Sequence, residues 1–327
     1  MSILSAKDIH VTFWKPGGAP AYAVRGASLS IGAGEIVGIL GESGSGKSTL
    51  ARALVGGSLK QTTCSGTIRL QHQPAWNCET SPKTSPFRAG LRGVSFVSQH
   101  PSLVLNPFQR VRTQLAELLS ANGLRRRCRQ ERVLELVSAV RLKDPSKIVT
   151  RYPHQLSGGE KQRVAIALAL AAAPKVLVCD EATSSVDPAT EAELLAMFLS
   201  LRESFGLAIV WITHNPSQLR SFADRIAVMY AGRIVESGST AQVLDAPLHP
   251  YTAALIRCSN RGSLLSEGAH RQRLDSIPGR APYAAAMFNG CSFAERCSDR
   301  RESCDQTRPR TVETGGSREV ECVLYEQ

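Results

Sequence analysis

The sequence lacks any long apolar run. Its longest, Val164–Ala173, spans ten residues and is closed by Pro174 and Lys175. A membrane-spanning helix needs roughly 20, so the chain is not expected to cross a bilayer. Met1–Ala6 has no apolar core behind a basic start, which excludes a secretory signal and predicts a protein that stays in the cytosol. Acidic residues are scarce: 28 Asp and Glu face 39 Lys and Arg, a net charge of +11. That imbalance suits acidic partners, whether nucleotide phosphates, nucleic acid or anionic headgroups, and equally a soluble surface with an arginine excess. Disorder is excluded, because 43% of residues are hydrophobic and 20% charged. At about 150 residues per domain, 327 residues make one large domain or two ordinary ones. One residue type is plentiful for a cytosolic chain: there are nine cysteines. Disulfides are rare in that compartment, so clustered cysteines point to metal.

Leu4–Thr12 and Tyr22–Ile31 read as strands, separated by a loop holding Pro16, Gly17, Gly18 and Pro20. Glu35–Leu40 is a short apolar run, the mark of a buried strand. Gly41–Gly46 breaks it, and Lys47–Val55 follows with helical spacing. Residues 58–89 are rich in Thr, Ser, Gln and Pro and read as edge strands and loops. Val94–Val97 is a strand, and helical patterns cover Val111–Ser120, Arg129–Val140 and Glu160–Ala173. Val176–Cys179 and Ala208–Ile212 are buried strands around a helix at Glu191–Ser204. Arg225–Tyr230 and Arg233–Ser237 read as a hairpin about Ala231-Gly232. After about Asp245 apolar periodicity weakens while cysteine, arginine and proline rise, which marks a boundary.

Gly41, Glu42, Ser43, Gly44, Ser45, Gly46, Lys47 and Ser48 fit the phosphate-binding pattern GxxxxGK[ST]. Glycines let the backbone wrap phosphates with its N–H groups inward, and the following helix adds its positive end. Lys47 reaches the terminal phosphates, and the Ser48 hydroxyl ligates Mg²⁺. Val176–Cys179 runs into Asp180 and Glu181. Asp180 there holds Mg²⁺ through water, and Glu181 polarises an attacking water. Between these pieces stands Leu156-Ser157-Gly158-Gly159-Glu160. Ser157 is a ready N-cap, and the glycine-opened helix start is a second anion site. Two anion sites in one chain suggest that one serves a neighbour's nucleotide.

In that order, the phosphate loop, LSGGE and the acidic strand end resemble the ABC ATPase family across roughly residues 3–245. Gln99 resembles the family's Q-loop glutamine, Ser184-Ser-Val-Asp187 its D-loop, and His214 its switch histidine. Trp14 falls where the family places an aromatic against adenine, with Phe13 and Tyr22 as rivals. The resemblance implies an α/β P-loop core: a RecA-like mixed sheet, an antiparallel β subdomain and a helical insert at about 105–165. It implies ATP held by the 41–49 backbone including Thr49, and Mg²⁺ served by Ser48, Gln99 and Asp180. Glu181 and His214 are then catalytic. Ser157, Gly158, Gly159 and Asp187 act on the site of a second ABC ATPase subunit.

Tyr152-Pro-His-Gln and Leu105-Asn-Pro107 resemble the oligopeptide, dipeptide and nickel importer branch, as do His249-Pro-Tyr-Thr252 and Ile277-Pro-Gly279. Membership implies two transmembrane permeases, an extracytoplasmic substrate-binding protein, a peripheral place on the cytoplasmic face of the membrane and no nucleic acid. The chain then divides into a nucleotide-binding domain at 1–245 and a C-terminal extension at 246–327. Gly290-Cys291-Ser-Phe293-Ala-Glu-Arg296-Cys297, with Cys304 and Cys322, resembles a pattern that holds a 4Fe–4S cluster in this branch. Four thiolates suit a cluster or tetrahedral zinc. The expected role is a staple for a tail without a core of its own. The run Leu124-Arg-Arg-Arg-Cys-Arg129 reads as a solvated loop in the insert, with nucleic-acid contact as the alternative.

Overall fold

A computed structural model describes residues 2–14, 17–56, 61–71, 76–77, 91–183, 186–260, 276–283 and 286–326. The chain opens with β1 (Ser2–Phe13), β2 (Ala21–Gly32) and β3 (Ile36–Leu40), then helix α1 (Lys47–Val55), β4 (Thr62–Leu70), β5 (Trp76–Asn77) and β6 (Val94–Val97). Helices α2 (Val111–Ala121), α3 (Arg126–Ala139), α4 (Pro145–Ile148) and α5 (Gly158–Ala171) follow. Next come β7 (Val176–Asp180), α6 (Pro188–Phe205), β8 (Ala208–Thr213), α7 (Pro216–Arg220), β9 (Arg225–Tyr230) and β10 (Arg233–Ser239). The chain ends through α8 (Thr240–Asp245), α9 (Pro250–Asn260), α10 (Ser303–Gln306), β11 (Thr311–Glu313) and β12 (Glu319–Glu321).

Among the described residues the strands form two sheets, an antiparallel one ordered β2-β1-β4-β5 and a mixed one ordered β11-β12-β10-β9-β3-β8-β7-β6. The parallel centre of the mixed sheet explains the short apolar runs, since such strands are covered on both faces. β3 is buried at all five positions. Its side chains alternate between two cores, as the period of two requires. Val37 and Ile39 join α1 and the antiparallel sheet, while Ile36 and Leu40 face the helical side. On that second face Trp211 of β8 is wedged between Phe198 and Phe222, with ring centroids 4.9 and 4.8 Å away. The expected P-loop α/β core, with its antiparallel sheet and its helices between β6 and β7, is the architecture observed.

β4 is more than an edge strand. It pairs with β1 over eight register positions and lies inside its sheet. Thr62, Cys64, Ile68 and Leu70 alternate inward against the exposed Ser65 and Arg69. Its threonines and serine hide that period from hydropathy. The tail is also better anchored than its composition suggests. β12 pairs with β10 and extends the mixed sheet, and Phe293 and Val320 are fully buried. The basic run expected as a solvated loop is instead largely helical: Arg126 opens α3, and Arg125, Arg126 and Arg127 are exposed there.

Candidate functional site

β3 ends at the sheet's carboxyl edge, and the loop 41–46 turns there into α1. A Cβ on Gly41 would drive into the Met229 carbonyl, and one on Gly46 into the Ala23 carbonyl. Gly46 also sits at φ 101°, which L side chains rarely adopt. It precedes α1 with no side-chain cap, and the first turn of α1 holds no acidic residue. Its N–H groups are therefore left for an external acceptor. Ser45 Oγ is buried without a hydrogen-bond partner, a second donor awaiting an oxygen. Lys47 is only 5% exposed. Its Nζ donates to the carbonyls of Gly41 and Glu42, each at 2.8 Å. Burial lowers its pKa, against the pull of Glu181, Asp180 and Glu42.

β7 delivers the two carboxylates. Asp180 lies in the strand, and Ser48 Oγ donates to its Oδ1 at 2.9 Å. Burial raises the Asp180 pKa, while the Ser48 hydrogen bond opposes the rise. Glu181 follows at φ 47°, a left-handed conformation that costs a non-glycine residue about 1–2 kcal/mol. The turn swings its carboxylate between two partners. Gln99 Nε2 donates to one oxygen at 3.3 Å, and His214 Nδ1 stands 3.3 Å from the other. Gln99 lies just past β6 and His214 just past β8, so parallel neighbours bring both to the same edge. Gln218 of α7 was not foreseen. It accepts from Thr213 Oγ1 at 2.7 Å and donates to Thr183 Oγ1 at 3.2 Å. It thereby ties the end of β8 to the turn after Glu181.

An open cleft over this loop is lined by Ser43, Gly44, Gly46, Lys47, Ser48, Thr49 and Glu181, with Tyr22, Arg25 and Tyr283 among its other walls. Trp14 does not line it; its indole N–H donates to Thr63 Oγ1 at 3.1 Å. Phosphate-sized anions fit the chemistry of this donor set, and Ser48 and Asp180 offer oxygens to a hard divalent cation.

The signature residues sit apart from this cleft, and none of Ser157, Gly158 and Gly159 lines it. Ser157 caps α5 in a reciprocal box: Glu160 N–H donates to Ser157 Oγ at 3.2 Å, and Ser157 N–H to Glu160 Oε2 at 2.8 Å. A Cβ on Gly158 or Gly159 would meet nothing within 4 Å. Among the described residues no side chain or backbone stands where a Cβ on either glycine would go. Asp187 caps α6, accepting from the Ala189 and Thr190 N–H groups at 3.1 Å each and from Thr190 Oγ1 at 2.6 Å. Those Thr190 hydrogen bonds lower its pKa. Ser184 and Ser185 of the same turn lie outside the described residues.

The metal expected on the four tail cysteines must be corrected. Cys291, Cys297, Cys304 and Cys322 do line one small cavity, with His249 and Phe293. Yet among the described residues no group of three or more His, Cys, Asp or Glu could hold a metal ion. Neither an iron–sulfur cluster nor zinc is supported. Burial pushes the Cys291 thiol up to about 11 and also raises those of Cys297 and Cys322. The premise of a coreless tail fails too. Phe293 packs against Tyr230 and Tyr251 at 5.2 and 5.4 Å. Arg233 grips Glu321 through two hydrogen bonds of 2.6 and 2.7 Å.

Comparison with known proteins bears on both halves of the chain. The ABC transporter family model matches residues 24–184, and that of the oligopeptide/dipeptide transporter C-terminal region matches residues 235–304. A putative peptide import ATP-binding protein of Brucella abortus is 40% identical over 304 residues, covering 93% of this chain and 86% of the relative. The dipeptide transport ATP-binding protein DppD of Bacillus subtilis is 35% identical over 332 residues, covering 99% and 95%. Among solved structures, the dimeric post-hydrolysis cassette MJ0796 bound to ADP and Pi matches with a TM-score of 0.59 at 28% identity, covering 72% of this chain and 98% of that one. CbiO1 of Clostridium perfringens, part of the transporter complex cbiONQ, matches with a TM-score of 0.61 at 26% identity, covering 75% and 91%. The chain belongs to the ABC transporter ATPase family, in the branch that carries the oligopeptide/dipeptide transporter C-terminal region.

Proposed function

We propose that this chain is the ATP-hydrolysing subunit of an importer for peptides or related small solutes, working at the cytoplasmic face of the membrane. The observation that carries the hydrolytic half is the Glu181 carboxylate, held between Gln99 and His214 beside a phosphate loop. The transport half is supported by the relatives named for peptide and dipeptide import. No helix among the described residues is long and apolar enough to cross a membrane. Permeases on other chains would form the path, and a substrate-binding protein would deliver the cargo. None of the matches favours the nucleic-acid alternative.

In this reading the 41–49 backbone and Lys47 bind the phosphates of ATP. Lys47 leaves the Gly41 and Glu42 carbonyls for a phosphate oxygen, an exchange of neutral acceptors for a charged one that strengthens its hydrogen bonds. Ser48, Asp180 and Gln99 are the residues that would hold Mg²⁺. That ion, when bound, would supply positive charge against the negative charge developing on the phosphate oxygens. Glu181 accepts a hydrogen bond from the attacking water and draws off its proton, and His214 orients against the terminal phosphate. General-base action of this kind contributes roughly 10²–10⁴-fold. Tyr22, which lines the cleft, takes the adenine contact in preference to Trp14.

Ser157, Gly158 and Gly159, with Asp187, act on the nucleotide of a second ABC ATPase. The exposed helix start with its two unrequired glycines supports this. Closure of the pair over ATP and its release after hydrolysis would drive the permeases between two states, through the different affinities of those states for the nucleotide. The test is affinity isolation of the tagged full chain from detergent-solubilised membranes. Two polytopic permeases and a second ATPase should co-purify; ribosomes or nucleic acid without a permease would sink the proposal.

A further inference from the structure

Glu42 is the second residue of the phosphate loop, and the end of the chain holds it on two sides. Its backbone N–H donates to Tyr251 Oη at 2.8 Å. Its carboxylate takes two hydrogen bonds from Arg296, Nη1 at 2.8 Å and Nη2 at 3.1 Å, across 254 residues of sequence. The Arg296 side chain is 6% exposed. Its Nε donates to the Pro278 carbonyl at 2.8 Å and its Nη1 to Tyr230 Oη at 3.2 Å. Both anchors are braced from behind. Tyr251 N–H donates to His249 Nδ1 at 3.0 Å, and the Leu248 and His249 N–H groups donate to the Glu236 carboxylate at 2.9 and 3.0 Å. Tyr230, Tyr251 and Phe293 pack as a three-ring cluster beside the guanidinium. A separate seam brings the same part of the chain to the rim of the cleft: Arg25 Nη2 donates to the Ala286 carbonyl at 2.6 Å, and Tyr283 lines the cleft itself.

We propose that Tyr251 and Arg296 are positioning residues for nucleotide binding, which act by fixing Glu42 and with it the phosphate loop. The proposal rests on the reading of this cleft as the ATP site. The physical argument concerns the loop's freedom. Gly41, Gly44 and Gly46 leave it with more conformations than ordinary residues would. A loop that must be ordered by its ligand binds that ligand less tightly than one ordered beforehand. Glu42 is the lever, because its carbonyl is one of the two that hold Lys47 Nζ. Fixing its N–H and its carboxylate from outside leaves the inward N–H groups free for phosphate. A bidentate guanidinium–carboxylate pair gives direction as well as attraction, which a loop of this kind lacks on its own.

The experiment titrates the full chain with a fluorescent trinitrophenyl analogue of ATP and with ATP itself, and measures thermal melting without nucleotide. Four variants are compared with the wild type: Arg296→Gln, Glu42→Gln, the double variant, and Tyr251→Phe. Arg296→Gln and Glu42→Gln are each expected to weaken ATP about tenfold, equivalent to about 1.4 kcal/mol. The double variant should be no weaker than the poorer single one, because one interaction is lost in all three. In turnover by Arg296→Gln, KM should rise while kcat at saturating ATP stays within about twofold, with partial recovery in Arg296→Lys. Tyr251→Phe removes one hydroxyl and keeps the ring in its cluster, so it carries the test if the charged variants do not fold; a smaller rise in the same constant is expected. Wild-type affinity in the folded variants, Tyr251→Phe included, with lowered melting alone, overturns the proposal and leaves a structural staple. A wild-type chain that fails to bind ATP defeats the underlying reading instead, before any variant is compared.

Discussion

Two helices of this chain begin at glycines with N–H groups turned outward, and the chain treats them differently. At α1 the surroundings are supplied in full: Lys47 is buried, Ser48 is paired with Asp180, and Glu181 stands across the cleft. At α5 the start is exposed at Ser157 and Gly158, a Cβ on either glycine would meet no described atom within 4 Å, and its cap is satisfied locally by Ser157 and Glu160. By the same physics both are helix starts that can receive an anion. A phosphate at the first finds a lysine, hydroxyls and carboxylates within one chain. At the second it would find N–H groups and Ser157, with the rest supplied, on the proposed reading, by a second ATPase. A glycine in a helix costs about 0.5–1 kcal/mol against alanine, and the proposed contact with a second ATPase would account for the pair.

The largest loss is expected at the first site. Glu181→Gln should lower phosphate release at least 100-fold while ATP affinity stays within about threefold; equal losses in binding and turnover would show that Glu181 holds the nucleotide instead. Lys47→Ala comes next. Losing a charged hydrogen-bond donor of about 1.5–3 kcal/mol should weaken ATP roughly ten- to hundredfold, which nucleotide titration of the isolated chain reads directly.

A third helix start, α9 after His249, sharpens the contrast because there burial is nearly complete. Burial lowers the His249 pKa to about 4, and its Nδ1 accepts from Tyr251 N–H, which needs the neutral ring. The unfolded chain binds a proton near pH 6.5 and the folded chain near pH 4, so unfolding takes up protons between those values. Stability is therefore full above about pH 6.5 and falls as pH drops towards 4, by on the order of 3 kcal/mol. Urea unfolding at pH 7 and pH 5 should show that slope in the wild type and less of it in His249→Asn; equal slopes would remove His249 as the cause.

The smallest effect has the most telling sign. Gly158→Ala should stabilise the isolated chain by about 0.5–1 kcal/mol, since the site has room and helical backbone, yet reduce turnover in the assembled transporter. A stabilised variant with undiminished turnover would dissolve the distinction between the two helix starts.

Much of the first site was legible from sequence because its parts are local. A run of apolar residues, a glycine-rich break and a lysine at the helix start specify β3, the loop and α1 within about 20 residues. Val176–Asp180 and the LSGGE cap were equally readable. What escaped depends on distance. Glu42 looks like loop filler in sequence, and its partner Arg296 lies 254 residues on. Gln218 has no periodic signal that would mark it as the link between Thr213 and Thr183. β4 is disguised by threonine and serine. β12 offers only Val320 as an apolar mark, yet it pairs with β10. Cysteine spacing misled in the opposite direction: it drew four thiols to one cavity and suggested a metal that their geometry does not support.

The most direct test of the account is phosphate release by the assembled complex at saturating ATP, with Glu181→Gln in this chain and the partner ATPase's own site disabled. The complex is expected still to bind ATP and to release at least 100-fold less phosphate than the same complex carrying wild-type Glu181. Undiminished release would contradict it, and would place the water-activating carboxylate somewhere other than the end of β7.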